Sequence, residues 1–263
     1  MIRPAEIQQI ARRQGVRDTQ IEKDYIISWI LTGIAHNTLL SVILAFKGGT
    51  VLKKIYFEDY RHSEDLDFTL LQEKANEEIK IEFENSFEFV KEEANISLSI
   101  NEYYEHVTGN INFYISYDGV FGGTGKRVKV DISKTELLMF DLELKHLFST
   151  YSDYISSRVK CYSLPEIMTE KMRSLLSRQQ PRDFYDLWYL SEYEKLEMSD
   201  YISEFEEKTK FKNLNPDNLK IRLEQLLPVF KTRWVGSMNE QINELPPFEK
   251  VSRELGRHFR KLF

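Results

Sequence analysis

Two aspartates separated by one residue stand in an apolar stretch of the 263-residue chain, where Asp65 and Asp67 alternate with Leu66 and Phe68. Residues i and i+2 of a β-strand share a face, so both carboxylates point one way and the apolar pair faces the core. Parallel carboxylates repel each other and cost stability unless a cation compensates them. The pattern predicts a metal site on a strand, with a solvated strand face as the alternative.

A Gly-Gly turn precedes the aspartates. The apolar run 42–46 has the length and β-branched character of a buried strand, and the spacing over 51–57 predicts a short helix. The segment between them is Lys47-Gly48-Gly49-Thr50. Glycine has no Cβ, so a phosphate can approach the backbone, and Mg²⁺ commonly binds one or two carboxylates together with substrate phosphates. Turn and aspartates together predict nucleotidyl transfer from a nucleoside triphosphate (NTP).

A further acidic residue lies on a predicted strand. In the segment 127–132 the valines and the isoleucine face one way, while Lys129 and Asp131 face the other. Placed beside the strand of Asp65 and Asp67, this strand would bring a third carboxylate to the same face. The less favoured alternative is an ordinary polar residue near the end of a strand.

The remaining elements follow from periodicity and turn residues. Two helices are predicted within residues 4–36, and the charged first turn of the second, from Glu22 to Asp24, is either solvated or functional. A helix over 73–94 precedes the strands. Helices follow residue 162, so we expect an α+β core over 1–160 and a helical region over 161–263.

Composition bounds the class of protein. Apolar residues make up 41% of the chain and charged residues 30%, as in an ordinary globular protein, and the net charge of −6 means that any nucleic-acid contact needs a local patch. A single cysteine excludes an internal disulfide and a cysteine zinc site. No signal-peptide pattern or apolar run of 18 residues is present, which predicts a cytoplasmic protein without membrane contact.

These motifs resemble a known family. FKGGTVLKK followed by RHSEDLDF is similar to the first motif of the DNA polymerase β-type nucleotidyltransferases, and more narrowly to the AbiEii/AbiGii toxins of bacterial abortive-infection (phage-defence) and toxin–antitoxin systems. The IEKDY helix start and LPEIMTEKMRSLLSRQQPRDFYDLWYL also resemble that family. The resemblance spans residues 21–190 and implies a mixed sheet with flanking helices, followed by a C-terminal helical region.

The resemblance also implies roles for individual residues. The expected ligands of two Mg²⁺ ions, which are also catalytic, are Asp65, Asp67 and Asp131. Lys171 is carried over as the catalytic or triphosphate-binding lysine. The expected nucleotide-binding residues, besides Lys171, are Gly48, Gly49, Thr50, Ser63, Asp183 and Asp186. A turn-forming hydroxyl would also explain Ser63.

The function implied is a toxin that transfers a nucleoside monophosphate from NTP to an RNA acceptor, with tRNA 3′ ends as the expected target and a cognate antitoxin encoded nearby. One alternative is nucleotidylation of a protein or a small molecule. Another is a non-catalytic module that binds a nucleotide or a partner. The basic run from Arg158 to Arg182 predicts contact with triphosphate or RNA, unless it is a solvated helix face.

Overall fold

The computed structural model describes residues 1–107, 109–148 and 150–263. It divides into two compact units, which we call unit 1 and unit 2. Unit 1 comprises Met1–Glu136 and Leu142–Tyr162, and unit 2 comprises Leu137–Asp141 and Ser163–Phe263.

Unit 1 combines a mixed sheet with helices. Its helices are α1 (Pro4–Gln14), α2 (Asp18–His36), α3 (Leu40–Ile43), α4 (Gly49–Val51), which continues as a π-helical turn (Leu52–Tyr56), and α5 (Asn76–Ala94). Its strands are β1 (Leu44–Lys47), β2 (Asp65–Leu70), β3 (Leu98–Glu105), β4 (Ile111–Tyr117), β5 (Arg127–Ser133), β6 (Glu143–His146) and β7 (Arg158–Cys161). Across the described residues the strand order is β3-β4-β5-β2-β1-β7-β6.

The centre of the sheet is formed by β2 with β5 and β1 on either side. The β2 strand runs parallel to β5 and antiparallel to β1. Leu66 and Phe68 are buried, as their spacing predicts, and Phe68 lies with its ring centroid 5.4 Å from that of Phe46 on β1. Each fully buried side chain of this kind contributes roughly 1.5–3 kcal/mol of hydrophobic stabilisation. The apolar face therefore determines which side of β2 carries the aspartates.

Helices α2 and α5 pack against each other beside this apolar face. Phe83 of α5 meets Phe113 of β4 edge to face, with ring centroids 5.0 Å apart. Gly33 of α2 lies so close to α5 that an added Cβ would stand 2.8 Å from Val90 Cγ2 and 2.9 Å from the carbonyl oxygen of Ser86. A glycine is needed there because the two helices are in direct backbone contact.

Glu22 and Asp24 of α2 are buried, so the prediction that this charged turn is solvated is wrong. Glu22 is 1% exposed and accepts hydrogen bonds from the Phe121 backbone N–H at 2.9 Å and from Lys126 Nζ at 2.6 Å. The glycine-rich connection between β4 and β5 is thereby tied to α2. The solvated alternative fails because the partners of this carboxylate lie about a hundred residues away in sequence.

Asp24 is also buried, in a second charged cluster of unit 1. Its carboxylate accepts from Lys54 Nζ at 2.5 Å and from the Tyr151 hydroxyl at 2.7 Å. Burial by itself raises the pKa of the Asp24 carboxyl, but the Lys54 ammonium and the nearby His62 ring hold that pKa well below its ordinary value. Asp24 is therefore an ionised anchor between α2 and the segment after the Gly-Gly turn.

Unit 2 is helical. Its helices are α6 (Leu164–Ser177), α7 (Pro181–Glu192), α8 (Ile202–Phe211), α9 (Leu219–Met238) and α10 (Phe248–Phe259), with 3₁₀ turns at Met198–Tyr201 and Pro216–Asn218. Buried Glu166 accepts from the backbone N–H groups of Met139 and Phe140 at 2.8 and 2.9 Å, and it pairs with buried Lys208. These contacts hold the segment Leu137–Asp141 on unit 2.

Two local predictions need correction, and two strands were missed. The first strand starts at Leu44, because Leu40–Ile43 forms a helical turn in place of the predicted strand start. The predicted helix over 51–57 is helical but includes a π turn, in which Phe57 N–H donates to the Leu52 carbonyl at 2.8 Å. Strands β6 and β7 were not predicted.

Among the described residues, no helix combines the length and apolarity needed to cross a membrane.

The buried pair of Asp24 and Lys54 yields a stability prediction. Lys54→Met should lower the free energy of unfolding by about 3–5 kcal/mol, because it leaves a buried carboxylate without its closest cation. Urea unfolding at neutral pH measures the loss, and Lys54→Met combined with Asp24→Asn should recover part of it. A loss below about 1 kcal/mol would contradict the buried-pair assignment.

Candidate active site

The Gly-Gly turn and the β2 aspartates are in direct contact. Gly48 has a φ of 82°, and a Cβ added to it would lie 2.3 Å from Asp67 Oδ2. Only a glycine tolerates this combination of a left-handed φ and a carboxylate against the backbone. The turn predicted to approach phosphate therefore passes directly beside a predicted metal ligand.

The acidic residues share one face of the sheet. Asp67 pairs in register with Asp131 on β5, and Asp65 pairs with Lys129. Residues in register on parallel neighbours point to the same side, so the polar face carries Asp65, Asp67 and Asp131 together. The predicted adjacency of the two strands is observed, and all three aspartates are partly exposed.

Lys129 neutralises part of this negative charge. Its Nζ lies 2.6 Å from Asp131 Oδ2. Partial burial by itself lowers the pKa of the Lys129 ammonium, but the hydrogen bond to Asp131 and the nearby Asp65 charge raise that pKa above its ordinary value. Lys129 thus stays charged among the aspartates, a role that the strand alternation alone did not indicate.

The residues of this face suit a divalent cation by their chemistry. Three carboxylates on adjacent strands supply the hard oxygen donors that Mg²⁺ prefers, and the backbone register brings Asp67 and Asp131 side by side. In the part of the chain that the structure describes, no three His, Cys, Asp or Glu side chains converge tightly enough to hold a metal ion. The Asp131 carboxylate instead bonds to Lys129. The backbone positions of the three aspartates and their oxygen donors therefore fit Mg²⁺. Their side chains would have to reorient to bind it.

Thr50 and Ser63 fasten the turn to β2. Thr50 is 1% exposed, and its Oγ1 lies 2.8 Å from Ser63 Oγ and 2.5 Å from the Asp65 carbonyl oxygen. The two hydroxyls that were predicted to contact nucleotide therefore hold the turn against the strand of the aspartates. Their nucleotide contact stays a prediction.

Arg61 is a residue of this site that the sequence interpretation missed. It is 3% exposed, and a Cβ added to Gly49 would lie 2.5 Å from its Nη2 and 3.6 Å from Ser63 Oγ. A buried guanidinium therefore packs against the second glycine of the turn. The sequence signal was its place in the RHSEDLDF motif. Its burial beside the glycine turn, which only the fold shows, makes it a natural phosphate partner.

Unit 2 gathers Lys171, Asp183 and Asp186 in a buried cluster. Lys171 Nζ lies 2.9 Å from Asp183 Oδ1 and 2.6 Å from Asp186 Oδ2. Asp183 also accepts from Arg178 Nε at 2.7 Å. Burial by itself raises the pKa of Asp183, but Lys171 and Arg178 lower it below its ordinary value. The structure joins these three predicted residues to each other, and their catalytic and nucleotide-binding roles stay predictions.

The basic run from Arg158 to Arg182 is partly neutralised inside its own units. Arg173 lies 3.8 Å from Glu170, and Lys160 donates to the Val42 carbonyl at 2.9 Å. Arg158 is exposed. The carboxylate partners of Lys171, Arg173 and Arg178 leave less positive charge for a phosphate backbone than the sequence count suggests, whereas the carbonyl partner of Lys160 does not neutralise it.

The mixed sheet, with flanking helices and a glycine turn before an aspartate-bearing central strand, is the fold of polymerase β-type nucleotidyltransferases. Solved structures share this fold. JHP933 from Helicobacter pylori matches with a TM-score of 0.58 at 17% identity, over 93% of this chain and 92% of its own. MenT4, a nucleotidyltransferase toxin from Mycobacterium tuberculosis, matches with a TM-score of 0.56 at 17% identity over 73% of this chain. The match spans 65% of the MenT4 chain.

The family follows from the sequence model that matches residues 29–259, described as the nucleotidyl transferase AbiEii toxin of type IV toxin–antitoxin systems. The chain belongs to this AbiEii nucleotidyltransferase toxin family, as its motifs indicated. None of the curated proteins matches the chain at a significant level.

The contact between Gly48 and Asp67 yields a prediction for transfer activity. Gly48→Ala should reduce nucleotidyl transfer by about 10²-fold or more, because the added methyl displaces the Asp67 carboxylate and misplaced catalytic groups lose about that much. Gly125→Ala is the matched control, since Gly125 has a φ of 78° and no atom within 4 Å of an added Cβ. Equal activity losses in the two variants would mean that backbone strain, and not displacement of Asp67, causes the loss.

The Lys171 cluster yields a prediction for stability. Lys171→Ala should lower the free energy of unfolding by about 3 kcal/mol or more, because it leaves two buried carboxylates without their shared cation. Lys74→Ala should change stability by less than about 0.5 kcal/mol, since Lys74 forms a surface pair with Glu78 at 3.0 Å. Urea unfolding of both variants separates a structural from a purely catalytic lysine; equal stabilities would contradict the structural role.

Proposed function

We propose that the polar face of unit 1 catalyses transfer of a nucleoside monophosphate from NTP to an RNA acceptor, with Mg²⁺ as cofactor. The observation that carries this proposal is the position of Gly48 against the Asp67 carboxylate, which is itself in register with Asp131. A phosphate that approaches the glycine turn is thereby brought to the face that offers oxygen donors for a cation. Membership of a nucleotidyltransferase toxin family supports the same reaction class.

Asp65, Asp67 and Asp131 would hold Mg²⁺, two ions being the expected number. The bound ions supply positive charge that activates the acceptor hydroxyl and stabilises the departing pyrophosphate. Asp131 would have to give up its bond to Lys129 to hold the cation, and the Lys129 ammonium would then be available to phosphate.

The glycine turn would position the triphosphate. Gly48 and Gly49 allow the phosphates to approach the backbone, and Thr50 keeps the turn against β2 through its bond to the Asp65 carbonyl. Arg61, packed on Gly49, would offset charge that develops on the phosphates. Ser63 completes the unit 1 residues that we propose for nucleotide binding. For Lys171, Asp183 and Asp186 of unit 2, nucleotide binding is the role that the family resemblance implies.

The reaction is an in-line displacement. The acceptor hydroxyl oxygen forms a bond to the α-phosphorus, and the bond from that phosphorus to the oxygen bridging to the β-phosphate breaks. Pyrophosphate leaves with the electron pair, and the hydroxyl proton passes to a carboxylate of the polar face.

The acceptor we propose is RNA, with a tRNA 3′ end as the specific target, and a cognate antitoxin would restrain the activity in the cytoplasm. The fold shared with MenT4, a nucleotidyltransferase toxin, supports the toxin class. A 3′ end offers a free hydroxyl on a strand thin enough to reach a sheet face. Incubation of the protein with each α-labelled NTP, Mg²⁺ and total RNA, protein extract or small hydroxylated acceptors separates the three acceptor classes.

Asp65→Asn and Asp67→Asn should each abolish label transfer while the protein stays folded, because an amide neither carries the charge nor binds Mg²⁺ as a carboxylate does. Relief of like-charge repulsion should leave the stability of the metal-free protein equal or slightly higher. Asp118→Asn, at an exposed position in the hairpin, is the control and should keep full activity. Normal Mg²⁺-dependent transfer in both active-face variants would refute the metal assignment.

A further inference from the structure

The polar face continues beyond the aspartates along β5. Arg127, Lys129 and Asp131 alternate on the strand and so share the face, and Tyr114 of β4 pairs in register with Lys129. The guanidinium of Arg127 lies over the Tyr114 ring, 3.9 Å from its centroid. Its Nη1 also donates to Glu102 at 2.7 Å. We call Glu102, Tyr114 and Arg127 the Arg127 platform.

The backbone of β3 is distorted where it meets Arg127. The pairing of β3 with β4 shifts between Asn101 and Tyr104, and Glu102 within this bulge has a φ of 52°. A left-handed conformation is unfavourable for a glutamate, and bulges commonly re-aim one side chain. Here the bulge directs the Glu102 carboxylate to the guanidinium of Arg127.

Stability does not account for this arrangement. The side chains of Arg127 and Glu102 are 46% and 47% exposed, and an ion pair of such exposure contributes little to folding. The strained backbone at Glu102 opposes even that small gain. What the contacts achieve is a fixed orientation, because a carboxylate on one side and an aromatic ring beneath hold a partly exposed guanidinium plane in place.

A fixed guanidinium plane is a surface on which a nucleic-acid base stacks. Four residues of strand separate Arg127 from Asp131, or about 13 Å at 3.3 Å per residue. At 3.4 Å per stacked nucleotide this backbone distance equals about four steps of a strand, and the guanidinium itself lies closer to the aspartates because it covers Tyr114, which pairs with Lys129. The platform therefore suits a strand that ends at the aspartates.

We propose that the Arg127 platform binds the single-stranded 3′ segment of the RNA acceptor by stacking one of its bases on the guanidinium of Arg127. Glu102 and Tyr114 act as positioning residues that hold this plane. The proposal rests on the proposed function for the direction of the strand, whose terminal hydroxyl lies at Asp65, Asp67 and Asp131. Continuity of one polar face from Arg127 to Asp131 identifies the acceptor as the occupant.

The test measures binding of a short, fluorescein-labelled single-stranded RNA by anisotropy, without NTP, and binding of NTP alone by calorimetry. Arg127→Ala should weaken RNA binding about five- to a hundredfold, the loss typical of one stacking contact, and leave NTP binding unchanged. Arg127→Lys should weaken RNA binding nearly as much, since it keeps the charge and loses the plane. Arg12→Ala, an exposed arginine of α1, is the matched control and should bind as the wild type.

Glu102→Gly separates positioning from folding. Glycine relieves the left-handed strain, so the midpoint of urea unfolding should stay equal or rise, while RNA binding falls several-fold because Arg127 loses its anchor. A purely structural role for Glu102 would give the opposite result, with lower stability and unchanged RNA binding. That result would overturn its positioning role.

Four further outcomes overturn the platform: no RNA binding by the wild type, unchanged binding in Arg127→Ala, full binding in Arg127→Lys, or a parallel loss of NTP affinity in Arg127→Ala. Any of the first three results would refute stacking of RNA on Arg127. The last result would mean that the platform binds the nucleotide substrate. Wild-type RNA binding that depends on Arg127 without any transfer to RNA would leave the platform in place and refute the proposed function. The two proposals can therefore fail separately.

Discussion

The constraint on which this structure depends is the burial of Leu66 and Phe68 on one side of β2. A strand with one apolar face is held in register, because a slip by one residue would exchange core and surface. The same register brings Asp67 level with Asp131 on β5 and with Lys47 on β1. Hydrophobic burial thus supplies the free energy that keeps like charges side by side, at the place where the glycine turn passes.

Charged side chains inside both units serve mainly to anchor segments. Glu22 ties down the glycine-rich hairpin, Asp24 binds the helix after the Gly-Gly turn, and Glu166 holds the segment Leu137–Asp141. Desolvation offsets much of the attraction within such pairs, so their net contribution to stability is small even though removal of one partner is costly. Their consequence is specificity of placement, because each charge has only a few partners that can satisfy it.

One polar face connects the chemistry of the family with the proposed acceptor. Its inner part carries carboxylates beside a backbone that phosphate can approach, and its outer part carries Arg127, a planar cation held by a strained bulge and an aromatic ring. In the proposed reaction, the carboxylates of the inner part would hold the metal, and the backbone of the glycine turn would meet the triphosphate. The outer part has the shape to bind a base, so a single strand can extend along one sheet from recognition to reaction.

Sequence alone determined the local features, because alternation and helical spacing are properties of consecutive residues. It predicted β2 with Asp65 and Asp67 on one side, most helices, and the family to which the chain belongs. Tertiary structure decided what depends on distant partners: strands β6 and β7, the burial of Glu22 and Asp24, the position of Arg61 on Gly49, and the pairing of Lys171 with Asp183 and Asp186. The sequence does not show whether a charged residue is solvated or buried, because only the folded chain supplies the partner that offsets its desolvation.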